Sequence, residues 1–214
     1  MMRRLSAAAQ RSLTNTASAE RPSLGMYQAE PDPYCYPDSS VLKNKAGLTT
    51  PDALERFETA MTFARSEEPL PRGRRTVRHY CAIHHHLFQD VYDWAGKFRT
   101  VRLSKDASTF CYPEHIASEM RQLFTSFKSE RHFKGRNRHD FALGAAHFLA
   151  ELNAIHPFRE GNGRTQLTFL GLLAHGADHP LDYDRLEPSI MLDAMIASFR
   201  GDEWPLVSAL KALL

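Results

Sequence analysis

Two apolar-periodic stretches meet at a corner that cannot itself be helical, and that juncture limits the folds open to the chain. From Phe141 to Ile155 apolar residues recur at helical spacing, and they do so again from Thr165 to Leu173. Between them stands His156-Pro-Phe-Arg-Glu-Gly-Asn-Gly-Arg-Thr165. Pro157 disfavours helical geometry in the residue before it, so the first helix is expected to end near His156. Gly161 and Gly163 permit backbone angles that other residues resist. The outcome is a helix–loop–helix corner that carries polar chemistry.

Each polar group in the corner suits a phosphate-handling site. Successive N–H groups in such a turn, leading into a helix N-terminus, form an anion cradle. Arg164 stands where it could fork onto phosphate oxygens. Glu160 could hold a hard cation such as Mg²⁺, which keeps most of its waters and bridges phosphates. His156 alone in the stretch titrates near neutral pH, which makes it the natural general base. A plain helix connector would need neither Glu160 nor Arg164 in those places.

The rest of the chain bounds the setting. At 214 residues it suits one domain with a sizeable core. A formal net charge of +2 argues against nucleic-acid binding driven by bulk charge. No apolar run approaches the ~18 residues of a membrane span. Cys35, Cys81 and Cys111 are odd in number and widely spaced, which fits a reducing compartment rather than a disulfide framework. Residues 1–25 are rich in Arg, Ser and Ala, with no acid before Glu20. That composition is shared by transit peptides and by disordered tails, and the tail is the plainer reading.

Residues 26–214 read as the folded domain. Thr50 and Pro51 open a helix with Leu54, Phe57, Met61 and Ala64 as its apolar stripe. A second helix is expected from about Arg74 to Trp94, burying Val77, Tyr80, Ile83, Leu87 and Val91. His84, His85 and His86 lie within it. Cys81 and His85 share a face, but HExxH is absent, so packing plus a solvent-facing imidazole is expected rather than a metal site. Alternation across residues 97–112 reads as a β-hairpin turning at Lys105-Asp-Ala-Ser108. Pro113 starts a further helix, and Asn137 or Asp140 starts the one that leads to the corner. The basic connection Lys128–His139 reads as a solvated loop, since it lacks interleaved aromatics apart from Phe133. Two more helices follow, from Asp182 to Phe199 and from Asp202 to Leu213. The expected class is all-α, with one hairpin.

The corner resembles the signature of the Fic family, His-x-Phe-x-(Asp/Glu)-Gly-Asn-Gly-Arg-x-x-Arg, and matches it without a gap through Arg164. The family's final Arg falls on Leu167. Tyr34-Cys-Tyr-Pro, Leu42-Lys-Asn-Lys45 and Leu87-Phe-Gln-Asp-Val-Tyr-Asp-Trp-Ala-Gly96 extend the resemblance to roughly residues 34–200. It implies a Fic-type helical domain with a hairpin flap, and transfer of AMP from ATP, with Mg²⁺, to a Tyr, Ser or Thr hydroxyl of a target protein. His156 would be the base and Glu160 the metal ligand. Gly161, Asn162, Gly163 and Arg164 would hold the phosphates, and Phe158, grouped with them, would anchor the loop in the core. The flap would pair with the target by strand addition, with Leu103 and Lys105 clamping it. Leu167, one turn beyond Arg164, could face the same ligand, and lacking a charge there would weaken ATP binding.

Alternatives stay open on the same resemblance: transfer of UMP, phosphocholine or whole phosphate, or a catalytically weak adaptor that binds a partner. Fic proteins of this size resemble bacterial toxins held by a small antitoxin; others are effectors delivered into host cells. A bacterial cytoplasmic or host-cell setting is therefore expected. Thr16-Ala-Ser-Ala-Glu20 matches most of the family's inhibitory pattern, but Arg21 breaks it. Control by a separate inhibitor, or none, is the expectation.

Overall fold

The computed structural model describes residues 32–105 and 108–214. The proposed tail of residues 1–25, including Thr16–Glu20, lies outside the described residues. Among those described are seven α-helices: α1 Pro51–Ser66, α2 Val77–Phe88, α3 Pro113–Ser129, α4 Arg138–Ile155, α5 Asn162–Gly176, α6 Pro188–Phe199 and α7 Trp204–Leu213. The helical class expected from sequence holds. None of these helices is long and apolar enough to cross a membrane.

Helix α4 is the hub, packed against α3, α5, α6 and α7. It is apolar nearly all round: Phe141, Ala142, Ala145, Ala146, Phe148, Leu149, Leu152 and Ile155 are all buried. A helix with that pattern is stable only when enclosed. Asn137 caps its start, accepting from the Asp140 N–H at 2.9 Å. Helix α2 packs on α1 and α5 and supplies Tyr80, Ile83, Leu87 and Phe88 to the core. The corner between α4 and α5 is thus the meeting point of the central helix and the helix beneath α2.

Three helices differ from expectation: α1, α2, and α6, which begins at Pro188 after a separate 3-10 turn at Tyr183–Arg185 rather than at Asp182. The buried face of α1 is Leu54, Glu58 and Thr62, not a wholly apolar stripe; Phe57 and Met61 are only half-buried and Ala64 is exposed. Helix α2 stops at Phe88 rather than near Trp94. The chain then turns, with the Val91 N–H on Phe88 O, and the Gly96 N–H returns to donate to His84 Nδ1 at 2.8 Å. His84 and His86 are buried and His85 faces solvent.

The stretch 97–112 is mostly irregular. Its antiparallel ladder is limited to Ser104↔Thr109 and Lys105↔Ser108. Elsewhere the stretch spends its backbone groups on the end of α4 and the loop that follows it. The Arg99 N–H donates to Pro157 O (2.9 Å) and the Cys111 N–H to Ala154 O (3.0 Å). A longer hairpin would need those groups for cross-strand pairing. The basic connection Lys128–His139 forms a tight turn in which Arg131, His132 and Phe133 all have positive φ. Such residues cost about 1–2 kcal/mol each. Burial of Phe133, with the Arg136 guanidinium 4.6 Å from its ring centroid, offsets that cost.

Candidate active site at the helix corner

The loop between α4 and α5 is pinned from inside. Helix α4 ends in a left-handed residue, His156 (φ 47°, ψ 62°), whose N–H still closes the helix onto Leu152 O at 3.1 Å. Glycine or asparagine is usual at such a cap; here the position carries an imidazole. Phe158 is fully buried, stacked on His84 at 3.8 Å and on Tyr80 at 5.5 Å between centroids. It anchors the loop, as expected, from a position that no ligand can touch.

The Asn162 side chain bonds within its own loop. Its Oδ1 accepts from the Phe158 N–H (3.0 Å) and its Nδ2 donates to Phe158 O (2.8 Å). Both amide atoms are thus used to close the loop on itself. A short amide side chain can copy a backbone turn in this way.

His84 is a site residue that sequence reasoning missed. It lies between Phe88 and Phe158 and reaches the loop through Nε2, 3.0 Å from Glu160 O. Its Nδ1 accepts from Gly96, so Nε2 carries the proton and donates to the Glu160 carbonyl. Burial draws its pKa down to about 3, so it stays neutral.

Gly161 precedes α5 at φ 81°, and a Cβ there would come within 2.3 Å of the Phe88 ring. Both the conformation and the close approach require glycine. Thr165 closes the first turn, its hydroxyl donating to Gly161 O at 2.8 Å. No side chain caps α5, so its first N–H groups point outward with no intrahelical acceptor. Gly163 lies in that turn, and a Cβ added there meets no heavy atom within 4 Å.

The carboxylate of Glu160 lies at this helix start, accepting from the Gly161 N–H at 2.8 Å. Desolvation by the protein packed around it, then the neighbouring charge of Glu58, push its pKa up, although one side of the carboxylate still reaches solvent. Arg164 does not stand open to a ligand, which corrects the sequence expectation. Its guanidinium is buried and donates to Glu58 Oε1, with Thr62 Oγ1 at 3.4 Å and the Phe88 ring centroid at 4.6 Å. Glu58 Oε2 accepts from the Tyr92 hydroxyl. Arg164 also lies 3.7 Å from Glu160, so one arginine serves two carboxylates. Glu58 and Tyr92 were not legible as site residues. The signal available was a Glu at the i+4 position from Leu54 on the inner face of α1.

The ring of His156 stacks on Phe110 at 4.0 Å, and Phe110 meets Phe199 edge-on at 5.5 Å. Phe110 thus ties the ladder segment to the histidine. Leu103 is half-buried and accepts from the Phe110 N–H at 3.1 Å. Lys105 lies in the ladder opposite Ser108. Arg159 turns outward and holds Asp32 at 2.8–3.0 Å, docking the leading segment on the loop. Leu167 belongs to the core at 4% exposure, its carbonyl accepting from the Tyr183 hydroxyl at 2.6 Å. It offers a ligand almost no surface, contrary to the expectation that it faces the phosphates.

A substitution tests the open space above Gly163. Gly163→Ala should leave the melting temperature unchanged or slightly raised, since alanine is favoured over glycine in helices by roughly 0.5–1 kcal/mol. If phosphate groups approach this backbone, affinity for ATP should fall at least tenfold by calorimetry. Unchanged affinity would place the nucleotide elsewhere.

Comparison with known proteins bears on the whole corner. The Fic/DOC family profile matches residues 75–174. The probable protein adenylyltransferase y4lH of Sinorhizobium fredii is 47% identical over 189 residues, covering 88% of this chain and 98% of that protein. The protein adenylyltransferase VbhT of Bartonella schoenbuchensis is 40% identical over 86% of this chain, which spans 39% of that longer protein. Among solved structures, the BepC protein of Bartonella tribocorum with bound AMPPNP superposes with a TM-score of 0.76 at 26% identity. The match covers 84% of this chain and 95% of that one. With a relative so similar along nearly all of its length, and a profile that takes in the whole His156–Arg164 corner, the chain belongs to the Fic/DOC family.

Proposed function

We infer that the protein is a protein adenylyltransferase, which moves AMP from ATP onto a hydroxyl group of a target protein. The observation that carries this reading is the loop's construction. His156 and the uncapped start of α5 sit at the two ends of one short loop whose middle is locked by the Phe158–Asn162 bonds. A base and an anion cradle are thereby held in fixed relation before any ligand arrives. Phosphoryl-type transfer depends mainly on such positioning and on electrostatic stabilisation.

In this reading the target hydroxyl attacks the α-phosphorus, His156 takes its proton, and pyrophosphate leaves. The first N–H groups of α5, with Gly163 open beside them, hold phosphate oxygens. Arg164, enclosed with Glu58, supplies positive potential from beneath rather than a direct fork. Among the described residues there is no cluster of three or more metal-binding side chains. Mg²⁺ is commonly held by one or two carboxylates plus substrate phosphates, and Glu160 is the carboxylate at the cradle. Bound there, Mg²⁺ would neutralise charge on the phosphates.

The segment 97–112 serves as the flap in this reading, with Leu103 and Lys105 against the target. Residues 26–214 form the Fic domain behind the tail. A separate small inhibitor protein is the proposed form of control, and the bacterial cytoplasm or a host cell the proposed setting.

Incubation with a bacterial lysate and ATP labelled at the α or the γ position tests the activity. Label on protein from the α position alone, abolished by chelating Mg²⁺, is the expected result. Label from the γ position would mean phosphate transfer. No label with any nucleotide triphosphate would leave an adaptor.

A further inference from the structure

One buried cation joins the target-side segment to the catalytic loop. Arg99 is 2% exposed and is among the largest fully buried side chains. Its Nε donates to His156 O at 2.8 Å. Its Nη1 donates to Val101 O at 2.6 Å, and its Nη2 to Cys111 O at 2.5 Å and Ile155 O at 3.3 Å. Its backbone N–H takes Pro157 O. Three successive carbonyls, of Ile155, His156 and Pro157, are therefore claimed by one residue.

No carboxylate pairs with Arg99 among the described residues. Its charge is met by carbonyl oxygens, two of them at the C-terminal end of α4, where the helix dipole is negative. Burial draws its pKa down, but an arginine stays charged. The planar fork is what allows one side chain to reach carbonyls in three segments; a lysine ammonium cannot reproduce that geometry.

The conformation of His156 makes these bonds consequential. A left-handed histidine relaxes readily to other backbone angles unless its surroundings forbid it. Relaxation would turn its carbonyl away from Arg99 Nε and swing its ring off Phe110. The same guanidinium holds both limbs of the ladder segment, at Val101 and Cys111. We propose that Arg99 is a positioning residue for AMP transfer, locking His156 in its left-handed conformation and fixing the target-side segment at a set distance from the base. The proposal rests on His156 being the base.

The test compares Arg99→Lys and Arg99→Ala with the wild type, reading transfer of α-labelled AMP onto lysate protein together with the NMR spectrum of His156. Stacking under Phe110 should shift the wild-type His156 ring protons upfield. Arg99→Lys should return them toward ordinary positions. Its rate at saturating ATP should fall at least tenfold, while KM for ATP stays within twofold. Millimolar guanidinium should restore part of the rate to Arg99→Ala, and equal sodium chloride should not. A folded Arg99→Lys protein with unmoved His156 resonances and a wild-type rate overturns the proposal. So does a loss of rate and ATP affinity in equal measure, which means a general structural role. Should both variants fail to fold, the wild type decides. A slowly exchanging Arg99 Nε–H with through-bond coupling to the His156 carbonyl carbon supports the lock, and its absence rejects it. If His156 moves as expected but wild-type protein transfers no AMP, the positioning stands and the functional reading falls.

Discussion

Replacing His156 by alanine is expected to slow AMP transfer about a hundred- to ten-thousand-fold, the usual worth of a positioned general base. Nucleotide affinity should change little. The loop is held by the Phe158–Asn162 bonds and by His84 on Glu160 O, neither of which uses the His156 ring. Alanine loses the stack on Phe110 and is less at ease than histidine in the left-handed region, so a modest fall in stability, about 1 kcal/mol, is expected. Calorimetry with ATP and single-turnover transfer of labelled AMP separate binding from chemistry. If the target is bacterial, wild-type expression should arrest growth and His156→Ala should not. Transfer at the wild-type rate by the variant would remove this histidine from the mechanism.

The second large effect concerns stability. Glu58→Ala removes the carboxylate that receives both Arg164 and Tyr92, leaving a buried hydroxyl unmatched and the buried guanidinium with only Thr62 at 3.4 Å and Glu160 at 3.7 Å. Breaking a buried ion pair from one side costs about 3–5 kcal/mol. For a chain of this size that is a fall in melting temperature of roughly 6–20 °C. Arg164→Met should cost a similar amount. The double variant Glu58→Met with Arg164→Met should cost less than the two together, because the buried pair is removed as a unit and only Glu160, whose side chain is 40% exposed, loses a partner. A thermal double-mutant cycle measures this. A Glu58→Ala protein melting within about 2 °C of the wild type would show that the pair is solvated in solution.

These results turn on residues that sequence patterns treat unequally. Apolar periodicity indicates most helices: α2 through α5 bury most of the Phe, Leu, Ile and Ala that recur at helical spacing, whereas α6 leaves Ile190 and Ile196 exposed. The corner's length and its pinning phenylalanine were legible too, because proline and glycine act locally. What was illegible is long-range polar pairing. Glu58 reads as one more charge on a helix, and only the fold reveals that Arg164 stands 106 residues away to receive it. The residue types of Asn162 and Arg164 suit phosphate, but the sequence does not show that both also bond within the protein. Alternation overstates the hairpin for a related reason: it cannot show that Arg99 bonds to the loop after α4, and Cys111 to α4, instead of to a facing strand.

His84 sets how the protein responds to acid. Unfolded, its imidazole would bind a proton near pH 6.5. Folded, it resists protonation until about pH 3. Between those values the unfolded chain holds the extra proton, so His84 contributes its full stability above about pH 6.5 and loses it steadily as pH falls toward 3. Proton linkage of this kind cannot tune the loop near neutrality, because the imidazole beneath Glu160 does not change charge there. Mild acidification would therefore leave the catalytic geometry of each folded molecule intact while reducing how many molecules are folded.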